Sequence, residues 1–197
     1  MNTTVSKEHQ RSEPASTKHL ISVEDYHKMG EAGLFESGAR IELIDGELFD
    51  MTPIGTQHAS TVTRLTDILT DGLRGKAIIS VQNPIVLGAQ SEPQPDLAVL
   101  EKKKDYYASA HPRPGDILLL IEVADTTASR DREIKVPLYA RHGIPEVWLI
   151  DLEQKRLEVY HGPKAGEYRH VDIYRKEQVS PKGLPDVKID LNELLPE

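Results

Sequence analysis

Asp96, Glu122 and Lys135 are the residues whose types and spacing could do chemistry together. Asp96 follows Pro95 and opens the apolar run Leu97–Leu100, after the turn-like Ser91-Glu92-Pro93-Gln94. Glu122 comes directly after five consecutive apolar residues, Ile117 to Ile121, in the most hydrophobic stretch of the chain. A carboxylate there is costly, because burial without a partner raises its pKa or destabilises the fold. If the two runs are neighbouring strands, the carboxylates repel by about 4 kcal/mol at roughly 4 Å and an effective dielectric of about 20. A shared proton, a cationic side chain or a divalent metal would relieve that repulsion. The pattern Asp131-x-x-x-Lys135-x-x-x-Tyr139 sets three side chains along one helical face, so Lys135 can point back toward the strand ends. Two carboxylates on a Mg²⁺ ion beside an ammonium are the parts of phosphodiester hydrolysis. The acids hold the metal, the metal activates water and polarises the phosphate, and the ammonium stabilises developing charge or orients the nucleophile.

Each of these residues also has a plainer reading. Pro-Asp at a strand start is common turn chemistry, Glu122 at a strand end can reach solvent, and Asp131 with Lys135 can be a solvated helix pair. The combination is more specific than any member.

The elements that must position these residues are legible in outline. Residues 1–18 are polar and read as a disordered tail, followed by a single domain over 19–197. Ser22 with Asp25 three residues on marks a capped helix start, and the helix should end near Gly30 or Gly33. Asp45-Gly46 between Ala39–Ile44 and Glu47–Met51 predicts a hairpin, since both turn residues need positive φ. Ala59, Val62, Leu65, Leu69 and Leu73 recur at helical spacing over 56–73. Short runs at Ala77–Gln82, Ile85–Leu87 and Asp96–Leu100 read as strands, and Asp116–Ala124 as a strand buried on both faces. Ser129–His142 is helical in pattern. Pro137 removes a donor and disfavours helical geometry at Val136, so an irregular first turn or kink is expected. Glu146–Asp151 and Arg156–Tyr160 flank the turn Leu152–Lys155, and Glu167–Tyr174 and Asp186–Ile189 lead into a short terminal helix. The order implies one α/β domain with helices packed on a central mixed β-sheet.

Composition bounds the function. The 197 residues suit one domain, and the chain carries no cysteine, which excludes disulfides and thiolate metal sites and fits a cytoplasmic protein. No stretch approaches a membrane span and no secretory leader is visible, so no membrane partner is expected. Neither a P-loop nor a dinucleotide fingerprint is present, so no organic cofactor is expected either. The formal net charge of −8 argues against tight non-specific DNA binding. Candidate nucleic-acid contacts are Arg40, Arg130, Arg132 and the run Lys102-Lys103-Lys104, though such a run is usually a solvated loop.

The stretches RIELIDGELFDMTPIGTQHA, QPDLAVL, LLIEVADTTASRDREIKVPLYARHGIPEVWLID and RLEVYHG resemble, in order, the Uma family of restriction endonucleases within the PD-(D/E)XK nuclease superfamily. The resemblance spans Arg40 to Tyr160, more than half of the chain. It implies a restriction-endonuclease-like core and Mg²⁺-dependent nucleolytic chemistry, with Mn²⁺ as a substitute and DNA as substrate. Asp96 matches the acid after proline and Glu122 the (D/E) position, with the Val123 carbonyl as a third metal ligand. The superfamily's usual lysine would fall at Ala124. In the Uma pattern it lies on the following helix, where this chain has Lys135. Glu42 matches an acid near the start of the core, as a second ligand or an orienter of water; pairing across the hairpin is its alternative. His58 matches the pattern as a contact to a phosphate or nearby carboxylate; capping a helix is its alternative. Double-strand cleavage commonly uses paired sites, so a homodimer through the C-terminal strands is expected. The rival reading is a catalytically inactive nuclease fold serving as a binding or dimerisation module.

Overall fold

The computed structural model describes residues 17–195. The disorder expected of the tail falls on residues 1–16, outside the described residues; Lys18 is described and pairs with Glu47 at 2.6 Å. The order is α1 (Val23–Glu31), β1 (Ile41–Ile44), β2 (Glu47–Asp50), α2 (Thr56–Gly72), β3 (Ile78–Val81), β4 (Leu97–Leu100) and β5 (Ile117–Ala124). A broken helix follows, comprising α3 (Ala128–Arg130), a π-helical turn (Asp131–Lys135) and α4 (Val136–Arg141). The chain ends with β6 (Glu146–Asp151), β7 (Arg156–Lys164), β8 (Glu167–Tyr174), β9 (Gln178–Val179), β10 (Ile189–Asp190) and α5 (Leu191–Leu194).

Six strands form one mixed sheet in the order β3-β4-β5-β6-β7-β8. Only β5 and β6 are parallel, and the broken helix is their crossover. Because side chains alternate along a strand, the sheet buries a core on each face. On one side Leu119, Ile121 and Trp148 pack with Leu65 and Leu69 of α2 and Leu191 of α5. On the other, Leu120 and Leu149 pack with Leu138 and Tyr139 of α4. Glu122 belongs to the second face by alternation, which aims it at α4.

The expected α1 cap forms, with Ser22 Oγ accepting from Asp25 N at 3.1 Å. The β1–β2 turn has Asp45 and Gly46 at φ 49° and 78°. Gly46 is required twice, since an added Cβ would also lie 2.6 Å from Leu20 Cβ. The hairpin is fastened to the main fold where Glu92 N donates to Leu43 O at 2.7 Å.

Two expectations need correction. Ile85–Leu87 is extended but not a strand: Ile85 N donates to Pro93 O at 3.0 Å, and Pro93 has no N–H to return the bond. The strand expected at Asp186–Ile189 is only Ile189–Asp190, paired with an unforeseen β9. The irregularity expected near Pro137 is present, although Val136 itself stays helical (φ −59°, ψ −46°). The irregularity falls before it, in the π turn, which widens the ladder at the point where the proline has no donor to contribute and its ring would crowd the preceding carbonyl.

Candidate active site

A polar cavity of about 160 Å³ opens between the β1–β2 hairpin, the start of α2, the start of β4 and the end of β5. Asp96 sits one residue before β4, and β4 pairs with β5 through Leu97 and Ile121, so Asp96 meets the backbone beside Glu122. Its Oδ2 accepts from Val123 N at 2.9 Å and pairs with His58 Nε2 at 3.0 Å, and its Oδ1 accepts from Gln82 Nε2 at 3.1 Å. Burial alone would raise the Asp96 pKa; His58, the Val123 amide and Gln82 outweigh it and hold the carboxyl below its ordinary range.

Glu122 is 3% exposed and lies deeper than Asp96, behind the cavity wall. Its carboxylate meets Lys135 Nζ at 3.3 Å and accepts from the Tyr139 hydroxyl at 2.5 Å. Burial pushes its pKa up to about 8 against the pull of Lys135, and the nearby Asp131 and Asp96 add to the rise. Lys135 stays protonated: burial would lower its pKa, but Glu122, Glu42 and Asp131 together raise it. Tyr139 is pushed well above its usual range by burial and by Glu122. Lys135 is the buried last residue of the π turn, which brings its ammonium from the crossover to Glu122 and Glu42.

Glu42 is not an outward hairpin residue. It is 1% exposed, its Oε2 lies 3.1 Å from Lys135 Nζ, and its Oε1 accepts from Arg130 Nη2 at 3.2 Å. His58 lies on the first turn of α2, touching a carboxylate rather than capping a helix; its Nδ1 is buried with no partner. Val123 lines the cavity beside Asp96. Asp96, Glu122, Lys135, Glu42, His58 and Val123 therefore converge within one neighbourhood. Asp131, marked by spacing alone, joins them: it is buried, lines the cavity and accepts from Thr127 Oγ1 at 2.9 Å. Burial raises its pKa against Lys135 and Thr127.

The cationic residues divide. Arg40 and Arg130 line the cavity, Arg130 also lying 4.9 Å over the Phe49 ring. Arg132 is corrected as a substrate contact, because it is held by Glu158 (2.8 Å) and Asp151 (3.3 Å). The run Lys102-Lys103-Lys104 lies beyond the far end of β4; Lys103 pairs with Asp116 at 2.8 Å.

Among the described residues no three His, Asp or Glu side chains form a ready-made metal cluster. The donors at hand are the Asp96 and Glu122 carboxylates and the backbone oxygen of Val123, all hard oxygens of the kind Mg²⁺ takes with water completing its shell. The excess of carboxylates over cations fits a divalent ion, and on both grounds this donor set suits the group.

The cavity thus lies at the ends of two adjacent inner strands, with carboxylates from both and a lysine from the crossover. Residues 23–192 match the model of the Uma2 family, described as "Putative restriction endonuclease". With most of the chain matched, this protein belongs to the Uma2 family. Its fold is similar to a crystal structure from Anabaena variabilis ATCC 29413 titled "a putative nuclease belonging to DUF820", with a TM-score of 0.73 and 15% identity over 89% of this chain and 97% of that one. No curated protein matches. Among the described residues no helix is long and apolar enough to cross a membrane.

Proposed function

We propose that this protein is a Mg²⁺-dependent endonuclease of the PD-(D/E)XK type that hydrolyses phosphodiester bonds in DNA in the cytoplasm, as a homodimer where both strands are cut. The observation that carries the reading is the convergence of Asp96 and Glu122 from neighbouring strands with Lys135 from the crossover, at the edge of a polar cavity.

Asp96, Glu122 and the Val123 carbonyl would hold the ion, with Mn²⁺ as a substitute. Once bound, the ion would activate water and polarise the phosphate. Asp96 is kept ionised by His58, Gln82 and the Val123 amide, so it is ready to ligate at neutral pH. Glu122 must lose a proton that burial favours, and the Lys135 ammonium beside it eases that loss. Lys135, held between Glu122 and Glu42, orients water or stabilises charge developing on the phosphate. Glu42 positions Lys135 and Arg130 together, and Arg130 faces the same cavity as a phosphate contact.

A second reading is favoured by one feature: the Glu122 oxygens are already engaged by Lys135 and Tyr139, as in an inactive fold kept for binding. Calorimetric titration of Mn²⁺ and Mg²⁺ separates the two. The wild type should bind metal with release of protons, and Asp96→Asn/Glu122→Gln should not. Wild-type protein that takes up no metal, or a double variant that binds as well, would remove the endonuclease mechanism.

A further inference from the structure

Beside the reaction cavity lies a second groove of about 270 Å³, framed by the first turns of α2, the β6–β7 turn and the end of α5. The two recesses share the first turn of α2: Gly55 and His58 line the cavity, and Thr56 and Gln57 line the groove. They are joined again through the sheet, where Leu152 N donates to Ala124 O at 2.9 Å. That bond lays the turn carrying Leu152 and Lys155 against the Asp125–Thr127 loop of the cavity.

The two recesses differ in charge. The cavity sets Glu42, Asp96, Asp125 and Asp131 against Arg40, Arg130 and Lys135, in a chain of net charge −8. Among the described residues no carboxylate lines the groove, while two exposed cations, Arg64 and Lys155, do. Arg64 is steadied at the groove by donating from Nη1 to Glu193 O at 2.7 Å. Gln57 and Ser60 supply uncharged polar groups, and the half-buried Leu152 with the edges of the buried Leu194 and Leu195 forms an apolar wall. Cations with polar groups beside an apolar wall match a nucleotide, whose phosphate is held by charge and whose base covers apolar surface.

We propose that this groove is the subsite for the substrate strand as it leaves the reaction cavity. Arg64 and Lys155 contact its phosphates, and the leucines face the base next to the scissile linkage. The inference rests on the nuclease reading above and deepens it. It also explains how an acidic chain holds a polyanion, through a local basic track beside an acidic metal centre.

The test compares wild type with Arg64→Gln/Lys155→Gln in two assays. One is binding of a fluorescein-labelled single-stranded oligonucleotide in Ca²⁺ across a salt series. The other is hydrolysis of bis(p-nitrophenyl) phosphate in Mn²⁺, a diester too small to reach the groove. The variant should bind the oligonucleotide on the order of tenfold more weakly, with a log–log salt slope shallower by about 1.4 for two lost phosphate contacts. Its small-diester kinetics should match wild type. Unchanged oligonucleotide affinity and slope, or no binding by wild type, overturns the groove assignment. Small-diester turnover alongside unchanged binding leaves the nuclease reading standing without the groove. Weakened binding in a protein that does not hydrolyse the small diester keeps the groove and removes the nuclease reading.

Discussion

Two regions of this molecule bury carboxylates beside cations, and they do it differently. On β6 and β7, Asp151 and Glu158 face Arg132 and Arg156: Arg132 spans Glu158 through two nitrogens at 3.0 and 2.8 Å, and Arg156 reaches it at 2.6 Å. Two acids meet two guanidinium groups, and Tyr160 donates to Glu158 as well. Burial would raise the Glu158 pKa, yet Arg132 and Tyr160 hold it below its usual range. At the cavity, Glu42, Asp96, Glu122, Asp125 and Asp131 gather beside Lys135, Arg130, Arg40 and the His58 imidazole. There the Glu122 carboxyl rises to about 8. The difference teaches how to separate a structural ion network from a site. The balanced network pins the broken helix to the sheet, whereas the unbalanced one borders a cavity and leaves carboxylates in excess of cations.

Breaking the balanced network should cost the most stability. Glu158→Ala leaves Arg132 and Arg156 with only the more distant Asp151 between them, and a loss of about 3 kcal/mol is expected by urea denaturation. A loss under about 1 kcal/mol would show that the network does not hold the helix to the sheet.

The unbalanced cluster should behave in the opposite sense. A buried acid whose folded pKa is raised binds its proton more tightly folded than unfolded, so its contribution falls as pH rises between the two values. Protein in EDTA should therefore lose stability as pH climbs from about 4.5 to about 8. Glu122→Gln should flatten that slope and leave the folded state more stable at the alkaline end. An identical slope in the variant, followed by thermal melts across pH, would reject the strained carboxylate. The smallest effect belongs to neither region: Lys102→Ala/Lys103→Ala/Lys104→Ala should leave oligonucleotide affinity and its salt slope unchanged, since that run lies beyond the far end of β4.

Much of the site was legible because its parts are local. Asp96 and Glu122 are flagged by their cost in apolar runs, and Lys135 by its spacing on the crossover. Glu42 was harder: where the hairpin docks depends on the bond from Glu92 N to Leu43 O, a contact between distant segments with no local signature. Arg132 was misread for a related reason. Along Arg156–Tyr160 the alternation sets Glu158 on a polar, outward-looking face, and only the crossover covering that face turns it into the partner of Arg132. The π turn likewise has no periodic signal, since Pro137 announces an irregularity without saying on which side of it the ladder widens.

The central claim is that the unbalanced cluster is a catalytic metal centre, and cleavage of supercoiled plasmid in Mg²⁺ tests it most directly. Wild type should nick the plasmid, EDTA should stop it, and Glu122→Gln, folded by circular dichroism, should not cut. Cutting by the variant at the wild-type rate, or cutting that continues in EDTA, would contradict the claim.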